Sequence, residues 1–275
     1  MATVTPAMND LMVFRKTASH VGRHISVTPR NSTNRHLSYG RIILNRQTDA
    51  ASFRTGECET GLIVLSGAAT VEVDGQQFGL EKFDGIYIPR DAAVRVSTDS
   101  NADLAEFSAE VAARYPLQVV RYAGVTGDPA LYFTAGGKVP QQRQISVIFG
   151  KNVEAGRLMA GFTVSEPGNW TSWPPHEHTA ILEEMYVYFD MPAPAFAIQL
   201  VYNDTEYPEL VTVVRDGDAV LMPSGYHPNV SVPGHRIIFL WAMAAHREKE
   251  DRQYGVVNVQ PGFGAGGSGL EASRK

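Results

Sequence analysis

Two histidines one residue apart, His176 and His178, follow a double proline in the run WPPHEHTAILEEMYVY (173–188), and two adjacent glutamates, Glu183 and Glu184, come close behind. On an extended strand, residues i and i+2 project to one face, so both imidazoles point the same way. A third imidazole, His227, stands after a Pro-x-Gly turn in GDAVLMPSGYHP (217–228). Three neutral imidazoles and one carboxylate suit zinc, manganese, iron, nickel or copper, and ligand type alone does not choose among them. An isolated H-x-H pair is more often incidental than metal-binding. The glutamate pair at short distance and the histidine after the turn are what make a metal site the better reading.

Such ligands need rigid elements to hold them, and most of the chain reads as short strands broken by turn chemistry. LIVLSGAATVEVDGQQFGL (62–80) alternates apolar and polar residues around Asp74-Gly75, a hairpin signal. GIYIPRDAAVRV (85–96) is a further strand pair around a proline corner, and QISVIFG, RLMAGFTV, EMYVYF, FAIQLVY, LVTVV, DAVLM and HRIIFLWAMA continue the style after residue 140. No long stretch has helical period. Closely spaced short strands predict an all-β barrel or jelly roll. The first half carries VDG followed by FDGIYIPRDAAVRV, and the second carries RDGDAVLMPSGYHPNV after its own strand pair, so the two halves repeat weakly. The Gly/Pro-rich run 124–142 is the best linker candidate. Two domains, 1–130 and 131–275, are expected, with a mobile Gly-rich tail from about residue 261.

Composition narrows the function. Hydrophobic residues make up 44% and charged residues 19% of 275 positions, a globular balance. The net charge of −5 argues against nucleic-acid binding, yet leaves room for a few local cations to recognise a small anion. Cys58 is the single cysteine, which rules out an intramolecular disulfide and a thiolate cluster. The N-terminal run MATVTPAMNDLMVFRK lacks the basic start and apolar core of a secretory signal, and no apolar run reaches the roughly 18 residues of a membrane span. A cytoplasmic protein with no membrane partner is expected, with homo-oligomers possible through exposed sheet edges.

The combined pattern resembles the cupin superfamily. Pro175-His176-Glu177-His178 matches its first motif, and Gly217-x5-Pro223-x-Gly225-Tyr226-His227 matches its second. Met191 stands where the first motif usually has glycine, and His227 arrives one residue early; neither departure removes a ligand type. The resemblance implies His176, His178, one of the two glutamates and His227 as ligands. Counting forward from His178 favours Glu183, whereas counting back from Met191 through the strand favours Glu184. Strand register is fixed by alternation while loops tolerate insertions, so Glu184 is preferred and Glu183 remains the alternative. Tyr186 and Tyr188 then share the face of Glu184, and Met185, Val187 and Phe189 pack on the other. In the first half Val94 stands near the position of the second-motif histidine, and His20, His24 and His36 are badly placed, so a metal-free barrel is expected there. His235 and His246 read as surface or supporting residues.

Over nearly the whole chain, LIVLSGAATVEVDGQQFG, the QRQ of 142–144, PGNWTSWPPHEH, LEEMYVY, FAIQLVY and VRDGDAVLMPSGYHP resemble the bicupin family of 5-deoxyglucuronate isomerases of inositol catabolism. That resemblance implies two β-barrels, one divalent metal (zinc, manganese, iron or nickel) in the C-terminal one, and aldose–ketose isomerisation giving 2-deoxy-5-keto-gluconate. Only Thr179 to Leu182 separate the H-x-H from the glutamates, and YVYFDMP is similar to a related isomerase of 5-keto-4-deoxyuronate from pectin breakdown. A small anionic sugar acid is the expected substrate in either case. Glu183, Tyr186 and Tyr226 are candidates for moving the proton, Tyr226 also for binding substrate. Arg143 is a candidate for the substrate carboxylate, whose geometry its fork matches. A metal-dependent dioxygenase and a non-catalytic binding or storage cupin are the competing readings.

Overall fold

The structure, a computed structural model, describes residues 11–263 apart from Lys138. Strands β1 (Val13–Phe14), β2 (Gly22–Val27), β3 (Ser38–Leu44), β4 (Ala50–Arg54), β5 (Cys58–Gly67) and β6 (Ala69–Val73) open the chain. They are followed by β7 (Gln76–Leu80), β8 (Gly85–Ile88), β9 (Ala93–Ser97), β10 (Ala102–Glu110), β11 (Gln118–Val120) and a short helix α1 (Tyr122–Thr126). The second half begins with β12 (Tyr132–Ala135), β13 (Arg143–Phe149), β14 (Leu158–Ser165), β15 (Trp170–Thr171), β16 (His176–Glu177) and β17 (Leu182–Tyr188). It closes with β18 (Ala197–Val201), β19 (Leu210–Val214), β20 (Ala219–Met222), β21 (Asn229–Ser231), β22 (Ile237–Ala245) and β23 (Asn258–Val259).

The strands form two sandwiches of matching topology. The first pairs a six-stranded sheet, β11-β8-β5-β10-β3-β2, with a four-stranded one, β4-β9-β6-β7. The second pairs a seven-stranded sheet, β1-β20-β17-β22-β14-β13-β12, with β15-β21-β18-β19. Strand by strand, β8-β5-β10-β3-β2 corresponds to β20-β17-β22-β14-β13, so the weak sequence repeat is a duplicated barrel. Asp74 and Gly75 both take positive φ in the two-residue turn joining β6 to β7, the backbone that such a hairpin requires.

The period of two decides which side chains face which core. In the first barrel Ile42, Leu62, Val64, Val71, Ile86, Val94 and Leu104 fill the interior with aliphatic side chains. Their alternates Tyr39, Ile63, Leu65 and Phe107 turn outward and meet Phe149, Phe162, Met185, Val187 and Leu240 of the second barrel. The two larger sheets therefore pack face to face across one apolar layer. Each such fully buried side chain contributes roughly 1.5–3 kcal/mol, enough to make the barrels one body. Tyr186, Tyr188, Val201, Val214, Val220 and Trp241 belong instead to the interior of the second barrel.

Two expectations about organisation change. The chain does not divide cleanly at residue 130, because β1 pairs antiparallel with β20 of the second barrel. This arm is held by the Thr17 amide donating to the Gly217 carbonyl (2.7 Å) and by Arg15 donating to the Asp218 carboxylate (2.7 Å). The supposed linker 124–142 includes β12, which pairs with β13; its glycines and prolines mark the turns around that strand. At the end of the described residues Phe263, 42% exposed, lies edge-on against Trp173 with centroids 5.2 Å apart. The rest of the expected tail lies outside the described residues. No helix among the described residues is long and apolar enough to cross a membrane.

Candidate metal centre

Strand β17 carries both glutamates, and alternation separates them. Glu184 points with Tyr186 into the second barrel; Glu183 points with Met185 into the layer between barrels. There the Glu183 carboxylate accepts the backbone N–H groups of Arg35, His36 and Leu37 at 2.7, 2.8 and 2.6 Å. Glu183 is thus a buried anchor for the loop entering β3, and the proton-moving role considered for it is corrected: its oxygens are occupied on the wrong face.

His178 and His227 converge on Glu184. Their Nε2 atoms stand 2.9 and 3.0 Å from the same carboxylate oxygen, Oε2. Donor atoms of these three buried residues all lie within 4.8 Å of one another. His176 flanks them, its ring 5.0 Å from that of His227 and 6.5 Å from that of His178. Local structure explains each placement. His176 is pinned by the pairing of β16 with β23. His227 follows the turn at Gly225, where φ is +87° and an added Cβ would come 2.7 Å from the Tyr202 carbonyl oxygen.

The imidazoles share one orientation. Nδ1 of His176 faces the Pro174 carbonyl (2.9 Å), that of His178 faces the Leu182 carbonyl (3.3 Å), and that of His227 faces the Gly225 carbonyl (3.0 Å). A carbonyl only accepts, so each Nδ1 carries the proton and, in a neutral ring, each Nε2 presents a lone pair. Two lone pairs then face one carboxylate oxygen, and His227 Nε2 is buried without a well-directed hydrogen bond. Acceptor facing acceptor is stable only with a cation between them, either a proton or a metal ion. Without a metal, burial would raise the Glu184 carboxyl's pKa, but the two imidazoles outweigh it and hold it down, to about 2. Burial lowers the His178 pKa, but Glu184 outweighs it and raises it. Burial, reinforced by His227, pushes His176 down to about 3, which keeps it neutral. The donor set, its tautomers and its burial all fit a divalent metal.

His176, His178 and Glu184 open onto one cavity. Arg143, at the start of β13, lines the same cavity. It is only 3% exposed, and its Nη1 donates to the Gln141 carbonyl at 3.1 Å. Among the described residues it has no carboxylate partner. Burial pushes its pKa down to about 10, so the cation persists at neutral pH as a desolvated charge. Tyr186 also lines the cavity, 2.6 Å from Ser172 Oγ through its hydroxyl. Burial and the Glu184 charge push its pKa well up, making it a proton donor rather than a resting base. Tyr226, considered as a substrate contact, is not brought there: its ring packs on Tyr202 at 5.7 Å and its backbone exchanges hydrogen bonds with Tyr202. His246 supports the site from behind, Nε2 lying 3.1 Å from the carbonyl of Thr179 beside His178.

Sequence reasoning missed one wall of the cavity. Tyr254 to Val257, in the segment after the last long strand, line it together with Trp241 and Met243. No periodicity marks that segment; its only signal was an isolated aromatic residue between polar neighbours.

Two duplicated sandwiches with a buried His/Glu cluster in only the second define a bicupin with a single candidate metal centre among the described residues. The chain belongs to the KduI/IolB family, which it matches over residues 12–257. It is 26% identical over 254 residues to a 5-deoxy-glucuronate isomerase of Geobacillus kaustophilus, covering 86% of this chain and 90% of that protein. It is 30% identical over 210 residues to 4-deoxy-L-threo-5-hexosulose-uronate ketol-isomerase 2 of Enterococcus faecalis, covering 74% and 72%. The crystal structure of an IolB-like protein from Salmonella typhimurium superposes with a TM-score of 0.78 at 22% identity, covering 92% of this chain and 97% of that one.

Proposed function

We propose that the chain is an aldose–ketose isomerase of a small sugar acid, acting at a divalent metal held by His176, His178, Glu184 and His227. One observation carries this reading: a buried Arg143 without a carboxylate partner among the described residues faces the same cavity as the His/Glu cluster. A sugar acid brings both complementary groups, a carboxylate for the guanidinium and a hydroxycarbonyl for the metal. Both named relatives are isomerases of such compounds.

A metal bound there would polarise the carbonyl and stabilise the negative charge that develops on its oxygen. Around it the chain's own groups bind and orient the substrate. Arg143 orients the carboxylate end, and the imidazoles, each with Nδ1 turned to a carbonyl, keep Nε2 available for a cation. The Tyr186 hydroxyl, paired with Ser172, stays protonated and offers a substrate oxygen a hydrogen bond. The apolar wall around Trp241 limits water.

Within this class, 5-deoxyglucuronate is the preferred substrate, because the relative that matches over the greater share of both chains acts on it. The second reading, 5-keto-4-deoxyuronate, is favoured by the higher identity to the Enterococcus enzyme. Turnover of both compounds by purified protein, with products identified by NMR, separates them: conversion of 5-deoxyglucuronate to its ketose is expected to be the faster. Inactivity on both, or oxygen consumption coupled to turnover, overturns the isomerase in favour of a binding protein or a dioxygenase.

A further inference from the structure

The C-terminal segment runs back over the cavity as a strap. It is fastened to the stretch that carries His176 and His178: β23 pairs with β16, and the Gln260 amide donates to the Pro175 carbonyl at 2.9 Å. The Asn258 side chain donates to the Glu177 carboxylate at 2.5 Å, and the Tyr202 hydroxyl donates to Gln260 Oε1 at 2.7 Å. At the head of this strap stands Tyr254. Its ring stacks on Trp241 with centroids 5.3 Å apart and planes 21° from parallel. Trp241 in turn lies against Gly161, where an added Cβ would come within 2.3 Å of the indole, so both rings are held in place from below.

We propose that Tyr254 is a substrate-facing hydrogen-bond donor that, with Arg143, selects sugar acids by holding a chain oxygen between the carboxylate and the metal end. This rests on the sugar-acid reading above. Three observations meet in it. Tyr254 is half-buried and lines the cavity, and its hydroxyl makes no hydrogen bond to any described residue, so it is free to meet a ligand there. Arg143 and Glu184 line the same cavity as Tyr254, so one small ligand can meet all three. Burial and Glu184 push its pKa up, so it stays protonated and can donate. A donor without a partner among the described residues, in one cavity with the His/Glu cluster and a guanidinium that has no carboxylate partner there, matches a polyhydroxy acid that brings its own acceptors.

The test compares metal-loaded wild type with Tyr254→Phe, which keeps the stack on Trp241 and removes only the hydroxyl. Two readouts are taken: kcat and KM on 5-deoxyglucuronate and 5-keto-4-deoxyuronate, and binding of D-glucuronate followed by tryptophan fluorescence. The expected result is unchanged metal content and melting temperature, with kcat/KM and D-glucuronate affinity each down by about tenfold, the worth of one well-placed hydrogen bond. Wild-type values for Tyr254→Phe overturn the proposal; a loss seen only in Tyr254→Ala assigns the ring a purely packing role and overturns it equally. If the wild type isomerises neither uronate, the isomerase reading fails and D-glucuronate binding alone decides Tyr254. If it binds no D-glucuronate either, both fall.

Discussion

At the scale of residues, adjacent Glu183 and Glu184 have opposite tasks, and substitution separates them. Glu184→Gln is expected to lower metal content, read by elemental analysis, to less than a tenth of wild type, because an amide is a poor ligand for a hard cation. Glu183→Gln is expected to keep the metal and lower the melting temperature instead. Three backbone donors would meet a weaker acceptor, costing about 1–3 kcal/mol, or ~2–10 °C in calorimetry. Arg143→Met carries a mixed prediction. Sugar-acid KM rises by about tenfold or more, while the unliganded protein becomes no less stable and gains up to ~1–4 kcal/mol, since a desolvated cation is replaced by a side chain that packs. The convergence of His178, Glu184 and His227 was legible in sequence because imidazoles at i and i+2 and a histidine after Pro-x-Gly are a dense signal. That Glu184 and Glu183 face opposite ways was legible because strand period assigns faces. The task of Glu183 was not, because its partners lie about 150 residues upstream and are backbone amides, which no residue type announces.

At the scale of elements, the site is held by short pieces that long strands position. The second-half strands, the DG hairpin and the turn before His227 could be read directly, since alternation and turn residues are local properties. The two-residue strands β16 and β23 could not, because a two-residue pairing has no period. The crossing of β1 into the second barrel is likewise a tertiary choice, made by Arg15 and Thr17 reaching Asp218 and Gly217. A clasp behind the site provides a pH prediction. Glu248 accepts the Ala112 amide (2.8 Å) and the Tyr115 hydroxyl (2.7 Å) of the first barrel. Burial would raise its pKa, but these donors outweigh it and lower the carboxyl below its usual 4.5. A carboxylate depressed in the folded state stabilises it above the unfolded value, and that contribution fades as pH falls through the folded one. Denaturant midpoints should therefore drop as pH falls below about 4.5, and Glu248→Gln should flatten that part of the profile. A variant profile parallel to wild type would remove the clasp from the account.

At the scale of the whole molecule, duplication leaves the candidate metal centre in one barrel and gives the other a bracing role. Each barrel's central strand sends one buried carboxylate across the interface. Glu183 on β17 binds the loop entering β3, and Glu59 on the equivalent β5 binds the amides of Gly156, Arg157 and Leu158 at 2.8, 2.6 and 2.8 Å, entering β14. The latches are reciprocal, so the first barrel, with its aliphatic interior, acts as a rigid brace for the second. Duplication was half legible, since the turns repeat in sequence while the latches do not. Removing a bound metal with a chelator should lower the melting temperature reversibly, because a ligand at 100 times its Kd adds about 2.7 kcal/mol to the folded state. The central claim, that one metal in the second barrel drives isomerisation of a sugar acid, is tested most directly by titrating metal into chelator-treated protein without oxygen. Conversion of 5-deoxyglucuronate is followed by NMR throughout. The account predicts a rate that rises from near zero to a plateau at one equivalent per chain; a rate indifferent to metal, or none without oxygen, would contradict it.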